Sequence, residues 1–270
     1  MGFCCPVCKG KLKREGNALR CEKNHSFDFS RSGYVNLLQS NKMHSKMPGD
    51  NKEMVAARTR FLNAGYYEPL RDAICEMAAK YLPKGGVLLD AGCGEGYYTM
   101  KIAETVGENG EVLGTDISKT ALNVAAKRDK RTQYAVASSF GLPAADKSVD
   151  VLCEIFSPFC KEEFMRVLKK GGVLIEVIPA ARHLFGLKSA LYEEPYENKV
   201  KPYELEGFTF LGKTEVQRTV TLTDPELIFS LFMMTPYAYR TPAEAVEKLR
   251  TREHLETELA FEILAYRLTK

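Results

Sequence analysis

Short apolar segments alternate with segments of helical periodicity through the middle of the chain. The apolar segments, which we predict to be strands, are 86–92, 110–118, 132–138, 149–156 and 173–179. The segments of helical periodicity that lie between them are 97–106, 119–128 and 161–172. This regular alternation predicts an α/β fold in which helices wrap a parallel sheet, and such sheets bind ligands at the carboxyl ends of their strands.

Further elements flank the alternating region. Residues 39–50 are polar and predict a linker, whose Asp50 is a plausible N-cap for a basic helix over 51–65. A second helix is predicted over 68–82. The elements predicted towards the C-terminus are a long strand at 207–222, helices at 224–234 and 241–250, and a long strand at 254–268.

A glycine-rich turn follows the first strand of the alternating region. In "VLLDAGCGEGYYT", Asp90 precedes Gly92, Gly94 and Gly96 at G-x-G-x-G spacing. A dinucleotide fingerprint would be spaced G-x-G-x-x-G, and Asp90 would repel a pyrophosphate. S-adenosylmethionine carries a cationic ammonium and a cationic sulfonium and has no phosphate. The turn therefore predicts an S-adenosylmethionine site, against the alternative of a tight turn with accidental glycines.

The ends of the next two strands complete this predicted site. Asp116 ends the second strand, where a carboxylate can accept hydrogen bonds from both ribose hydroxyls. Ser138 and Ser139 end the third strand, where we expect them to face the adenine edge. The combination of turn, helix and carboxylate is a much more specific signal than the glycines alone.

Cysteine and histidine cluster near the N-terminus. The pairs Cys5/Cys8 and Cys21/His25 have C-x2-C and C-x3-H spacing, which suits a tetrahedral zinc ion held by four protein ligands. A site without an open position predicts a structural metal, and the alternative is a group of buried free cysteines. Cys4 is the spare. We expect the remaining cysteines to be packed in apolar surroundings: Cys75, Cys93, Cys153 and Cys160.

Positive charge is concentrated in the N-terminal part. Residues 1–60 carry 12 Lys+Arg against 5 Asp+Glu, whereas the remainder carries 26 against 30. A basic front suggests a polyanionic partner, although a solvated basic surface would look the same. No apolar run approaches the ~18 residues of a membrane span, and no signal segment opens the chain, so we expect a cytoplasmic protein without membrane contact. The candidate phosphate contacts are Lys11, Lys13, Arg14, Arg20 and Lys23, with Lys52, Arg58 and Arg60 on the helix.

These parts occur in an order that resembles one known family. The segments "CPVC", "CEKNH", "GYVNLL", "PGD", "LDAGCGEGYYT", "PAARHL" and "MTPYAYR" are similar to those of the bacterial 23S ribosomal RNA (guanine-N1)-methyltransferases of the RlmA type, over essentially the whole chain. The resemblance implies a class I methyltransferase (Rossmann-like) fold with a seven-stranded sheet, one strand antiparallel. It also implies an N-terminal zinc-binding module, a 23S ribosomal RNA hairpin as partner, and a homodimer.

The sequence predicts three parts, and the resemblance implies residue roles. The boundaries are 1–38 for the zinc-binding module, 39–66 for the linker and basic helix, and 67–270 for the methyltransferase domain. The implied zinc ligands are Cys5, Cys8, Cys21 and His25, and the implied cofactor contacts are Tyr67, Glu95, Gly96 and His183.

The chemistry would be direct methyl transfer to a ring nitrogen that must first lose its proton. The fourth strand ends in "EIFSPF" and lacks the Asn/Asp-Pro-Pro-aromatic motif of exocyclic-amine methyltransferases. The sequence does not identify the proton acceptor: Glu154 is a candidate by location, and a structural role for it is favoured. A nucleophilic Cys160 is disfavoured. Two rival functions are a methyltransferase of quinone-precursor-like metabolites and a non-catalytic zinc-bearing RNA-binding factor.

Overall fold

A central eight-stranded sheet dominates the computed structural model, which describes residues 2–39, 49–200 and 202–269. Most of the predicted linker at 39–50 lies outside the described residues. The strands are β1 Lys13–Glu15, β2 Ala18–Arg20, β3 Ser26–Asp28, β4 Val35–Asn36, β5 Gly86–Ala91, β6 Gly110–Asp116, β7 Gln133–Val136, β8 Val149–Ile155, β9 Leu168–Pro179, β10 Phe208–Leu222 and β11 Leu255–Leu268. The helices are α1 Lys52–Asn63, α2 Glu68–Tyr81, α3 Tyr97–Val106, α4 Lys119–Arg128, α5 Lys161–Val167, α6 Phe185–Leu191, α7 Pro225–Met233 and α8 Ala243–Arg250.

The sheet runs in the order β10-β11-β9-β8-β5-β6-β7-β4. Strands β5 to β9 pair in parallel, whereas β11 pairs antiparallel with both β9 and β10. The α/β prediction and the seven strands of the core, one of them antiparallel to its neighbours, are therefore confirmed. Because all five parallel strands end at one edge, the loops after them converge on a single region.

The eighth strand was not predicted. It comes from the N-terminal segment, by which we mean residues 2–39. Val35 and Asn36 of β4 pair in parallel with Ala135 and Val136 of β7. The Leu37 N–H continues the ladder by donating to the Val136 carbonyl oxygen at 3.0 Å. The small antiparallel sheet β1-β2-β3 lies immediately before β4 in the chain. The N-terminal segment is thus hydrogen-bonded into the main sheet.

Two predicted element boundaries are wrong. The helix predicted over 161–172 ends at Val167, because Leu168 already pairs with Val149 and begins β9. Lys169 supports this early strand through an ion pair of 2.7 Å with Asp150. The second error concerns α1, whose N-cap is the residue after Asp50: the Asn51 side chain accepts a hydrogen bond from the Met54 N–H at 3.0 Å.

The two faces of the sheet are covered differently. One face packs against α2, α3, α6 and α7 through buried residues that include Leu70 and Ile102. The other face packs against α5 and the N-terminal segment, and Phe3 and Leu12 belong to the same apolar cluster as Leu89 of β5. No helix of the described ranges is long and apolar enough to cross a membrane. The N-terminal segment therefore contributes part of the main hydrophobic core.

We expect Phe3→Ala to lower the free energy of unfolding by about 3–5 kcal/mol, because it removes a core ring and leaves a cavity. The Phe3 side chain is 1% exposed although it is the third residue of the chain. Chemical denaturation followed by circular dichroism measures the change. The matched control is Val7→Ala in the same segment, which is 54% exposed and should stay within about 0.5 kcal/mol of wild type. Equal stability of the two variants would contradict the conclusion that the N-terminal segment stabilises the main hydrophobic core.

Candidate active site and zinc centre

Four metal-binding side chains meet in the N-terminal segment. The ligand atoms of Cys5, Cys8, Cys21 and His25 all lie within 4.8 Å of one another. The Cys8 and Cys21 sulfurs are 3.6 Å apart, and the His25 Nδ1 lies 3.5 Å from the Cys5 sulfur and 3.3 Å from the Cys21 sulfur. Zn–S bonds of about 2.3 Å and Zn–N bonds of about 2.0 Å predict tetrahedral edges of roughly 3.5–3.8 Å. The donor set therefore fits one zinc ion.

Two tight turns present these ligands. The Cys5 carbonyl oxygen accepts from the Lys9 N–H at 2.8 Å, and the Cys21 carbonyl oxygen accepts from the Asn24 N–H at 2.9 Å. Lys9 and Asn24 both have positive φ, 61° and 62°, so each turn carries strain that a bound metal would offset. Cys4 stands outside the cluster, as predicted, and its N–H donates to the Pro143 carbonyl oxygen at 2.7 Å.

A cavity of about 1550 Å³ opens at the carboxyl ends of the parallel strands. Residues from the ends of β5, β6, β7, β8 and β9 line it, and the N-terminal segment adds Pro6, Lys9 and Leu37 to its wall. Pockets for single drug-sized ligands are typically about 300–1,000 Å³. The volume therefore leaves room for a second molecule beside a nucleoside-sized cofactor.

The glycine-rich turn forms one end of this cavity. Gly92 and Gly96 have φ values of 92° and 82°, which side chains rarely adopt. A Cβ on Gly92 would lie 2.2 Å from the Cβ of Ser157, and a Cβ on Gly96 would lie 2.9 Å from the Cβ of Ala125. Gly94 also has positive φ, at 55°. The backbone therefore approaches its neighbours more closely than any other residue type would allow.

Asp90 lies buried at the base of the turn. The Thr99 hydroxyl donates to its Oδ2 at 2.5 Å, and its Oδ1 has no hydrogen-bond partner among the described residues. Burial, aided by the charge of Asp116, raises the pKa of Asp90 to about 7 despite the bond from Thr99. A buried carboxylate with one unpaired oxygen is stabilised by a cation, and S-adenosylmethionine would supply one.

The polar groups predicted to hold the nucleoside also line the cavity. Asp116 accepts hydrogen bonds from the Gly94 N–H at 2.9 Å and from the Ser118 N–H at 2.7 Å. Burial raises its pKa, and these two bonds oppose the rise. The Ser138 hydroxyl oxygen accepts from the Phe140 N–H at 3.2 Å. Asp116 thus fastens the second strand to the glycine-rich turn while it borders the cavity.

Tyr67, Glu95 and His183 also lie on the cavity wall. Tyr67 precedes α2, and its ring packs edge-on against Phe261 with centroids 5.0 Å apart. Glu95 is buried and makes an ion pair of 2.6 Å with Arg128, so its charge already has a partner.

His183 is a buried neutral side chain. The Ala260 N–H donates to its Nδ1 at 3.2 Å, which leaves the proton on Nε2. Burial, together with the charge of Lys188, lowers the pKa of His183 to about 3. Its ring packs on Phe261 with centroids 4.4 Å apart. At neutral pH this histidine can donate a hydrogen bond to a ligand but adds no charge.

Several residues that line the cavity were not predicted from the sequence to belong to the site. They are aromatic or acidic, and they come from segments far apart in the chain: Phe140, Phe156, Glu176, Tyr196, Tyr237 and Tyr239. Phe156 carries a positive φ of 55°, an unusual conformation for a bulky residue. The position after a buried parallel strand was the only sequence signal for Phe156. Cys160, the disfavoured nucleophile, lies partly buried before α5 and does not line the cavity.

We expect Cys8→Ser to abolish stoichiometric zinc and to loosen residues 1–36, because one of four ligands is lost and metal binding supplies folding energy. Elemental analysis should find about one zinc per wild-type chain purified without chelator. Proteolysis should then cut the variant in this segment while the methyltransferase core stays folded. Cys4→Ser is the matched control and should retain zinc, since Cys4 is outside the cluster. Wild-type protein without zinc would refute the metal site.

We expect Asp116→Ala to weaken S-adenosylmethionine binding by about 1–3 kcal/mol, because it removes a partly buried acceptor from the predicted ribose end of the site. Calorimetry measures the dissociation constant. Asp72→Ala, which removes an exposed carboxylate on α2, should leave it unchanged. Binding of a nicotinamide dinucleotide in place of S-adenosylmethionine would overturn the cofactor assignment.

Residues 3–46 match the family model described as RlmA, N-terminal, a zinc ribbon, and residues 82–221 match a methyltransferase domain. A chain in the solved complex of the Haloferax volcanii Trm112 methyltransferase activator aligns with a TM-score of 0.51 and 17% identity, over 82% of this chain and 100% of that one. The [4+2]-cyclase SpnF aligns with a TM-score of 0.50 and 17% identity, over 83% and 99%. These two structures support the fold alone.

Curated relatives cover nearly the whole chain. A Bacillus subtilis protein, provisionally named 23S rRNA (guanine-N1)-methyltransferase YxjB, is 33% identical over 97% of this chain and 95% of its own length. The 23S rRNA (guanine(748)-N1)-methyltransferase of Streptomyces fradiae is 31% identical over 91% and 89%. The zinc cluster, the sheet and the glycine-rich turn agree with this similarity. The chain therefore belongs to the bacterial 23S ribosomal RNA (guanine-N1)-methyltransferases of the RlmA type, with a class I S-adenosylmethionine-dependent methyltransferase fold and a structural zinc.

Proposed function

We propose that this protein transfers a methyl group from S-adenosylmethionine to N1 of a guanine in a 23S ribosomal RNA hairpin. The observation that carries the proposal is the shared cavity, whose wall contains both the glycine-rich turn and residues of the N-terminal segment. The similarity to relatives named for this reaction supports the same substrate. Bound S-adenosylmethionine supplies a methyl group on a positively charged sulfur.

The proposal assigns a role to each group of site residues. Zinc is held by Cys5, Cys8, Cys21 and His25, and the cofactor is held by Tyr67, Asp90, Gly92, Gly94, Glu95, Gly96, Asp116, Ser138 and His183. We divide the chain at 1–38, 39–66 and 67–270, although β4 ties the first part to the main sheet.

The basic surface of the N-terminal segment fits RNA phosphates. The side chains of Lys11, Lys13 and Arg14 are all exposed, as are those of Arg20 and Lys23. Helix α1 fits this role less well than the sequence suggested. Its Arg58 pairs with Asp50 and its Arg60 pairs with Glu226, both at 2.8 Å, so these two charges are already used within the protein.

The mouth of the cavity is rimmed by aromatic side chains, which favours a nucleobase as the methyl acceptor. Phe140, Phe156, Tyr196 and Tyr239 are all exposed, and all four line the cavity. Exposed rings are costly in water, and RNA-binding proteins use them to stack bases that leave the helix. A flipped guanine would cover part of this apolar rim and reach the methyl donor inside.

The two rival functions fit less well. A demethylmenaquinone methyltransferase from Bacillus licheniformis is 28% identical but aligns over only 41% of this chain, so that likeness does not account for the zinc module. A non-catalytic RNA-binding factor has no use for the buried, unpaired Asp90 oxygen at the glycine-rich turn.

Two further parts of the proposal concern assembly and location. We propose a homodimer, as the family resemblance implies, and a cytoplasmic location, where ribosomal RNA is made. Analytical ultracentrifugation of the purified protein measures the first, and fractionation of cells measures the second.

We expect binding of the target hairpin to weaken steeply with salt, because bound lysines and arginines release condensed counterions. Replacing Lys11, Lys13 and Arg14 together by alanine should reduce the slope of log affinity against log salt by up to about 3 and raise the KM for RNA. The affinity for S-adenosylmethionine should stay unchanged, since none of the three lines the cavity. The control is the double change Lys248→Ala and Glu244→Ala on α8, an exposed ion pair.

Primer extension on unmodified 23S ribosomal RNA identifies the product. The reverse transcriptase should stop at one guanine after treatment with enzyme and S-adenosylmethionine, since N1 methylation blocks the Watson–Crick edge. Labelled methyl groups in a pyrimidine, in an exocyclic amine or in no RNA would refute the guanine-N1 proposal, even if the zinc and the cofactor were both verified.

A further inference from the structure

One buried carboxylate on the cavity wall is not among the residues proposed to hold zinc or the cofactor. Glu154, near the end of β8, is 3% exposed and lines the cavity. Its Oε1 accepts a hydrogen bond from the Ser157 N–H at 2.5 Å. No lysine or arginine among the described residues forms an ion pair with it. Burying a carboxyl group without a cationic partner costs free energy, and the hydrogen bond from the Ser157 N–H offsets only part of that cost.

The position of Glu154 relative to the methyl-donor site is fixed by Ser157. The Ser157 hydroxyl donates to the Ala91 carbonyl oxygen, and the Ser157 Cβ fills the space that a side chain on Gly92 would need. The residue that binds the Glu154 carboxyl group is therefore in direct contact with the glycine-rich turn. The same short loop carries Phe156, whose ring packs near Phe261 with centroids 5.6 Å apart.

The surroundings of Glu154 favour its neutral form. Burial is the main cause that raises its pKa to about 8, and the charges of Glu176 on β9 and Asp90 on β5 raise it further. The hydrogen bonds from Ser157 oppose the rise. Glu176 is its direct neighbour across the β8–β9 ladder. A carboxyl group that titrates near 8 is matched to general acid–base work near neutral pH.

We propose that Glu154 is the catalytic base that accepts the N1 proton of the target guanine. This inference rests on the proposed function, because only an acceptor nitrogen that carries a proton needs such a base. Phe156 and the aromatic rim would hold the purine, and the Glu154 carboxylate would face its Watson–Crick edge.

The N1–H bond breaks and its proton passes to the Glu154 carboxylate, while the electron pair stays on the guanine nitrogen. That nitrogen forms a bond to the methyl carbon, whose bond to sulfur breaks with its electron pair going to sulfur. The products are neutral N1-methylguanine, a neutral thioether and protonated Glu154, which returns the proton to water.

Single-turnover methylation of the hairpin between pH 6 and 9.5 tests the proposal. Glu154 acts only as a carboxylate, so the wild-type rate should rise with pH and level off above its pKa. Glu154→Gln keeps the size of the side chain and can still accept the Ser157 N–H. We expect this variant to lose at least about 100-fold in rate and to lose the inflection, with the affinities for RNA and S-adenosylmethionine retained. Glu154→Asp should recover part of the rate.

Glu176→Gln is the matched control, since it removes a neighbouring carboxylate that raises the pKa of Glu154. The inflection should move to lower pH in this variant, which a structural role for Glu154 would not produce. Wild-type rates in Glu154→Gln would overturn the proposal, as would a rate loss explained by weaker S-adenosylmethionine binding. A wild-type enzyme that gives no primer-extension stop would instead overturn the proposed function, and the role of Glu154 with it.

Discussion

The close approach of Ser157 to Gly92 is the contact on which the site depends. It leaves no space for a Cβ on Gly92, and it brings the end of β8 against the glycine-rich turn. Ser157 also binds the carbonyl oxygen of Ala91 and the carboxyl group of Glu154. One side chain thus sets the distance between the groups proposed to hold the donor and the group proposed to prepare the acceptor. Even a small misplacement in such an arrangement costs much of the rate.

The N-terminal segment is built into the same structure. Its β4 extends the main sheet beside β7, and its Phe3 belongs to the same buried apolar cluster as Leu89 of β5. The Cys4 N–H binds the carbonyl oxygen of Pro143, and Pro143 itself lines the cavity. The segment that carries the zinc ligands is therefore hydrogen-bonded to the cavity wall. Under the proposed function, this connection would hold the basic segment in place relative to the cavity that takes the methyl donor.

Local signals in the sequence sufficed for much of this structure. Helices α3 and α4 were predicted to the residue, because each begins at a turn or cap and ends at a glycine or a charged residue. The early start of β9 was not predicted, because it depends on the pairing of Leu168 with Val149, a contact between residues that are distant in the sequence. Strand β4 has two residues and no pattern of its own. The aromatic rim was not predicted, because its residues lie far apart in the sequence and come together only in the folded protein.

Burial imposes an electrostatic cost on carboxyl groups around the cavity, and three of them bear on the proposed chemistry. Burial raises the pKa values of Asp90, Asp116 and Glu154. The charge of Asp116 raises the pKa of Asp90 further, and the charge of Asp90 raises that of Glu154 further. Asp90 binds its proton more tightly in the fold than in the unfolded chain, so its stabilising contribution is lost as pH rises towards its folded pKa of about 7. A cationic methyl donor offsets this cost by favouring the ionised forms. Its binding would therefore also favour the carboxylate form of Glu154, the form that acts as a base. After transfer the sulfur is neutral, so the product would lose the sulfonium's part of that attraction while its ammonium keeps the rest.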